Sequence, residues 1–175
     1  SVVLDFLIKN DISEIFVPID KGFDEHISGY TTGIVSVNSV IEIRFTPSFA
    51  ARARKETPNG LFTFEPAIRG KAEWTDNLTL IFRPAKILDA GTLYTGKLHL
   101  NLIADVSESL KEFPVIIQTI KKDFIVTTGA LECQAEGSRY ALHGEMTASD
   151  YIASAEIEGF LQARLGRKKL EIVFH

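Results

Sequence analysis

At 175 residues, with 45% hydrophobic and 24% charged side chains, the chain has an ordinary globular balance and room for one or two domains. Its net charge is −4, and no part carries the basic excess that a phosphate backbone demands, which excludes nucleic acid as an expected partner. A single cysteine, Cys133, excludes an internal disulfide and a thiolate-built zinc site, and no apolar run reaches the ~18–20 residues of a membrane span.

Ser1-Val2-Val3 lacks the basic start and apolar stretch of a signal peptide, and the missing initiator methionine is read as the mark of a cut or processed product. Residues 1–27 read as a lead-in, either an edge strand or a tether. Phe6-Leu7-Ile8 and Ile15-Phe16-Val17 are apolar islands among charges, and Pro18 closes the second. Thr31–Ser36 is β-branched and stops before the turn signal Asn38-Ser39. In Val40–Thr46, Ile41, Ile43 and Phe45 alternate with Glu42 and Arg44, the spacing of two that a half-buried strand requires. Pro47, Pro58, Asn59-Gly60 and the basic Arg52, Arg54 and Lys55 make residues 47–60 a loop, with one helical turn near Ala50–Ala53.

The chain is organised around Leu61–Tyr94. Phe62 and Phe64 resume the core face until Pro66. The run ending at Trp74 and the run Leu78–Arg83 are joined by Thr75-Asp76-Asn77, and only Ile81 breaks the alternation of Leu78, Leu80 and Phe82. This predicts a central hairpin with Trp74 filling a sandwich core. After the loop Lys86–Gly91, Tyr94, Gly96, Leu98 and Leu100 face inward, with Thr95, Lys97, His99 and Asn101 outward. Asp105–Glu112 is a polar turn, and Phe113–Ile120 is the last apolar run of this unit. Counted from Thr31 the chain shows seven short strands, a sandwich pattern.

Beyond Phe124, Tyr140, Leu142, Gly144 and Met146 alternate with Ala141, His143, Glu145 and Thr147. Glu156–Leu165 fits a helix or a strand, and the strand reading is preferred because Gly159 and Ala163 sit awkwardly in a helix. Lys71–Trp74, a turn and Leu78–Phe82 are echoed by Gln162–Leu165, Gly166-Arg167 and Leu170–Phe174, as if one module begins twice. The expected class is therefore all-β. It comprises a lead-in over 1–27, an antiparallel Ig-like sandwich over 28–121, and an incomplete second sandwich over 122–175 that exposes an apolar face.

No catalytic, cofactor-binding or metal-binding residue is assigned. Nucleophile-elbow, P-loop, dinucleotide, zincin and EF-hand motifs are all missing. His26, His99, His143 and His175 lie far apart, and His99 and His143 read as surface residues rather than a metal pair. Asp11/Glu14 and Asp24/Glu25 read as surface charge, since a catalytic pair needs one member desolvated. Asn77-Leu78-Thr79 matches an N-glycosylation acceptor but sits at a tight turn. Cys133 reads as a buried small hydrophobe without a base to activate it. Aromatics at 62, 64, 74, 82 and 94 read as core rather than a carbohydrate platform.

Phe23, the run His26 to Ser36, Ser39 and Ile41–Phe45, followed by Phe64-x-Pro66, Gly70-x-x-x-Trp74, Leu80-x-Phe82-x-Pro84, Leu88, Gly91 and Tyr94, resemble the first macroglobulin domain of bacterial alpha-2-macroglobulin-like proteins of the Bacteroides type. Ala148-Ser149-Asp150 and Lys168–Ile172 resemble the start of the next such domain. The resemblance covers residues 23–175. It implies scaffold domains of an envelope protease trap, held at the membrane by an N-terminal lipid, partnered by downstream domains of its own chain and by trapped proteases. It implies no catalysis and no cofactor. The family's thioester motif is not met, because Cys133-Gln134-Ala135-Glu136 has its glutamine elsewhere, so no functional residue transfers. The rival expectation is an Ig-like binding module of a surface adhesin or glycan-handling protein, which exposed aromatics on a concave face would favour. An enzyme with an unfamiliar site ranks third.

Overall fold

The computed structural model describes residues 19–133, 140–153, 156–157, 159, 161–165 and 167–173. Two four-stranded sheets face each other. The first, in the order β1-β3-β6-β5, is built from β1 (Ile27–Tyr30), β3 (Ile41–Phe45), β6 (Thr79–Pro84) and β5 (Gly70–Trp74) and is antiparallel throughout. The second, in the order β2-β8-β7-β4, holds β2 (Gly33–Val35), β8 (Glu112–Thr119), β7 (Leu93–His99) and β4 (Phe62–Glu65). The all-β sandwich expected from the alternation is what the chain forms. Its pairings are antiparallel except β2 against β8, which is parallel.

That exception follows from one residue. The β-branched run Thr31–Ser36 supplies β2, and the chain passes into it from β1 in the other sheet at Gly33, whose φ of 78° is readily adopted only by glycine. The chain keeps its direction through the crossing and so meets β8 in parallel. The seven strands counted from Thr31 are β2 to β8, and among the described residues β1, which precedes Thr31, adds an eighth to the sandwich. The hairpin expected to be central lies at a margin, since β5 is an edge strand and only β6 is interior.

Alternation dictates what is buried. In β3, Ile41, Ile43 and Phe45 are fully enclosed while Glu42 and Arg44 face out, and in β8 Phe113, Val115, Ile117 and Thr119 point inward. Each such aliphatic or aromatic side chain contributes about 1.5–3 kcal/mol by leaving water. Ile81 breaks the pattern and is buried nonetheless; it lies on the outer face between Glu42 and Glu73 in the ladder. Thr46 caps the short helix α1 (Pro47–Ala50), with Pro47 in the first turn, where its missing N–H costs nothing. The cap delivers Phe49 into the core, stacked on Phe45 with ring centroids 5.0 Å apart. The segment read as a lead-in contributes Phe23, His26 and Ile27 to the buried set.

Past Lys121 the chain forms a long two-stranded ribbon, β9 (Phe124–Cys133) with β10 (Tyr140–Ala148), and a short pair, β11 (Ala163–Leu165) with β12 (Lys168–Leu170). The strand expected over Glu156–Leu165 is confined to its last three residues; Glu156, Ile157 and Gly159 are helical. The local pattern fitted both states, and no partner strand is paired with that stretch among the described residues to decide for β.

Candidate functional site

The outward faces of the sandwich hold one organised polar group. β4, β7 and β8 align Thr63 opposite Lys97 and His99 opposite Glu112. His99 Nε2 lies 3.1 Å from Thr63 Oγ1, its Nδ1 lies 3.6 Å from Glu112 Oε1, and Lys97 Nζ meets Glu112 Oε2 at 2.5 Å. The Lys97 hydrogen bond and charge, with His99 adding to them, hold the Glu112 carboxyl below its usual range against some desolvation. Hydroxyl, imidazole and carboxylate in that order are the parts of a nucleophilic relay. Here Glu112 is tied to Lys97, and Thr63 and Glu112 stand on an open sheet face. The arrangement is a cross-strand polar network that covers the sheet exterior.

The other candidates are scattered. His26 is buried with its ring 5.0 Å from Phe49, while His143 is exposed on β10. Asp24 and Glu25 are exposed in a short 3-10 turn, whereas Asp11, Glu14 and His175 fall outside the described residues. No group of three or more His, Cys, Asp or Glu side chains suited to a metal occurs among the described residues. Asn77 belongs to the β5–β6 turn, where Asp76 Oδ1 accepts from the amides of Leu78 at 2.7 Å and Thr79 at 2.8 Å. An open depression lies between the 37–40 and 83–87 loops, with Arg83 and Lys86 at its wall. Arg83 is already paired with Glu73 at 3.3 Å.

The aromatic set turns inward. Phe62, Phe82 and Tyr94 are buried, and the Phe64 ring lies 5.2 Å from Phe82. Phe64 and Trp74 are only half-buried, so they close the margin of the core rather than fill its centre. Trp74 packs 5.3 Å from Phe45 on one side and carries Lys55 Nζ 3.6 Å over its ring on the other, with Nζ also donating to Asn77 O. Burial lowers the Lys55 pKa, with Asp76 partly opposing. A ring capped by an ammonium is not free to stack on a sugar.

The conspicuous surface is the ribbon. Residues directly opposite across a ladder share a face. Phe124 pairs with Ala148, Val126 with Met146, Leu131 with Leu142 and Cys133 with Tyr140. A register shift between Leu142 and Gly144 inserts an extra residue in β9, which returns Leu131 and Cys133 to the side of Phe124 and Val126. One face is thus apolar, while Glu132, His143 and Glu145 lie on the other. Tyr140, Leu131 and Leu142 remain 66%, 64% and 57% exposed. Cys133, expected to be buried, is exposed for the same reason: among the described residues no second layer lies over its strand.

The ribbon's root is firmly made. Asp150 accepts from Ser36 Oγ at 2.6 Å and from the Val37 amide at 2.7 Å, and burial, which raises its pKa, is outweighed by Ser36 and the Val37 and Tyr151 amides, leaving the carboxyl lowered. In the sequence Asp150 stands out only within Ala148-Ser149-Asp150, as part of the resemblance to the start of a second domain, and no local signal gives it these partners.

The class so defined is an all-β sandwich bearing an amphipathic β-ribbon. No family model and no curated protein matches the sequence. Among solved structures, the chain is similar to L,D-transpeptidase 3 from Mycobacterium tuberculosis in complex with a faropenem-derived adduct, at 13% identity and a TM-score of 0.38 over 59% of this chain and 41% of that one. It is also similar to an L,D-transpeptidase from M. tuberculosis H37Rv, at 13% identity and a TM-score of 0.37 over 58% and 42%. The chain spans about two fifths of the length of those structures.

Proposed function

We propose that this chain is a non-catalytic scaffold segment of an envelope alpha-2-macroglobulin-like protease inhibitor. Residues 28–121 serve as one macroglobulin-like module and residues 122–175 open a second. In this reading the full-length protein, tethered by an N-terminal lipid, traps proteases, and the present segment spaces and orients the domains that follow.

One observation carries the reading: an amphipathic ribbon, rooted on a sandwich with a filled core, presents an uncovered apolar face. An isolated two-stranded ribbon is marginal in water, so such a face is suited to receive a covering sheet. The positions behind the resemblance have consistent structural roles. Gly70 to Trp74 forms β5, Leu80, Phe82 and Pro84 lie in β6, and Phe23 and Tyr94 are core residues.

The test has two parts. The reading frame beyond residue 175 should continue into repeated sandwich domains, and the full-length protein should co-migrate with an added endoprotease and suppress its action on a protein substrate. A frame without further sandwich domains, or a full-length protein that leaves every protease tested fully active, overturns the proposal.

A further inference from the structure

We infer that Ser149-Asp150 is a two-sided clasp that fixes the direction in which the β9–β10 ribbon leaves the sandwich, making the two a single mechanical unit. Adjacent residues hold opposite partners. Ser149 holds the ribbon's own base: its Oγ donates to Lys121 O at 2.8 Å and accepts from the Asp123 amide at 2.9 Å, while its amide donates to Asp123 O at 2.9 Å. Asp150 holds the sandwich, with each carboxylate oxygen engaged by a different donor, Ser36 Oγ and the Val37 amide.

The sandwich side of the clasp is itself fixed. Ser36 Oγ also accepts from the Asn38 amide at 3.2 Å, within a turn closed by Ser39 N to Ser36 O at 3.0 Å. Val37 is buried, and its carbonyl accepts from Leu88 N at 2.9 Å. Tyr151 and Ile152 border the same small recess as Val37, Ala90 and Ile120, and Lys122 pairs with Glu156 at 2.6 Å.

The consequence is geometric. After β8 the chain passes to the ribbon through Ile120–Asp123 alone, and a lone connection of a few residues leaves several backbone dihedrals free to swivel. The clasp adds a second attachment where β10 returns, more than a hundred residues away in sequence from Ser36. Two attachments side by side remove the swivel. The inference concerns only this chain and holds or fails independently of the protease-trap reading.

The experiment is solution NMR on the full chain. Residual dipolar couplings of wild type should fit one alignment tensor for sandwich and ribbon together. In Asp150→Ala the two should need separate tensors, and exchange of the Val37 amide should rise roughly tenfold or more, the weight of a hydrogen bond to a charged acceptor. Ser36→Ala, which spares the Val37 bond, should fall between. Throughout, the urea midpoint read at Trp74 should stay put. Two tensors in wild type, one tensor in Asp150→Ala, or an unfolded sandwich in that variant would each overturn the clasp, the last by showing a folding element rather than a joint.

Discussion

Phe45→Ala removes a ring that is fully enclosed on β3, an interior strand of the first sheet. The ring touches Phe49 at 5.0 Å and Trp74 at 5.3 Å, so the change forfeits both the burial and two aromatic contacts. Phe→Ala in a core costs about 3–5 kcal/mol, the upper half applying where the walls cannot collapse. Both walls here are hydrogen-bonded strands or a capped helical turn, so about 4 kcal/mol is expected. Against a total of about 5–15 kcal/mol for a domain, that is a large share. Trp74 is the only tryptophan and sits against the deleted ring, so its fluorescence reads unfolding of the sandwich directly. With a slope of about 2 kcal/mol/M the urea midpoint should fall by about 2 M. Ile125→Ala, on the polar side of the ribbon at 67% exposure, should move it by less than about 0.5 kcal/mol. A Phe45→Ala shift no larger than that of Ile125→Ala would refute the two-layer core.

Two further outcomes are expected. Gly96→Ala should destabilise the sandwich by about 1–3 kcal/mol, because Phe64 lies across Gly96 in the ladder and an added methyl would overlap its ring; a neutral Gly96→Ala in urea melts contradicts that packing. Asp76 has a pKa lowered by the Leu78 amide, and then by Thr79, so its support of the β5–β6 turn is complete above the unfolded carboxylate value of about 3.9. That support fades as the pH falls through the lower native value, so Asp76→Asn should flatten the acid limb of the stability curve and leave the neutral region less stable.

Much of the sandwich was legible because alternation is a local signal. Ile41–Phe45 buries the predicted face, the apolar run expected over Phe113–Ile120 is the strand β8, and Asp76 marks its turn. What was hidden depends on partners, which a local pattern does not encode. The strand β1 (Ile27–Tyr30) lies in the segment read as a lead-in and its junction, and only the left-handed Gly33 marks where the chain changes sheet before β2. The edge position of β5 and the burial of Ile81 depend on which strands lie alongside. Cys133 has the neighbours of a core residue, and its exposure follows from an absent layer rather than from its strand. The register shift opposite His143 is what keeps the ribbon's apolar residues on one side, and the two strands show it only once paired. Asp150 finds its partners 113 and 114 positions away, beyond the reach of any spacing rule.

The most direct measurement is binding of the apolar dye anilinonaphthalene sulfonate to the native chain, compared with the double variant Leu131→Ser/Leu142→Ser. An open apolar ribbon on a closed sandwich predicts strong fluorescence enhancement in the parent, its loss in the variant, and one Trp74 unfolding midpoint shared by both. A parent that does not bind the dye, or a variant whose sandwich melts earlier, would mean that these side chains are already covered and the account is wrong.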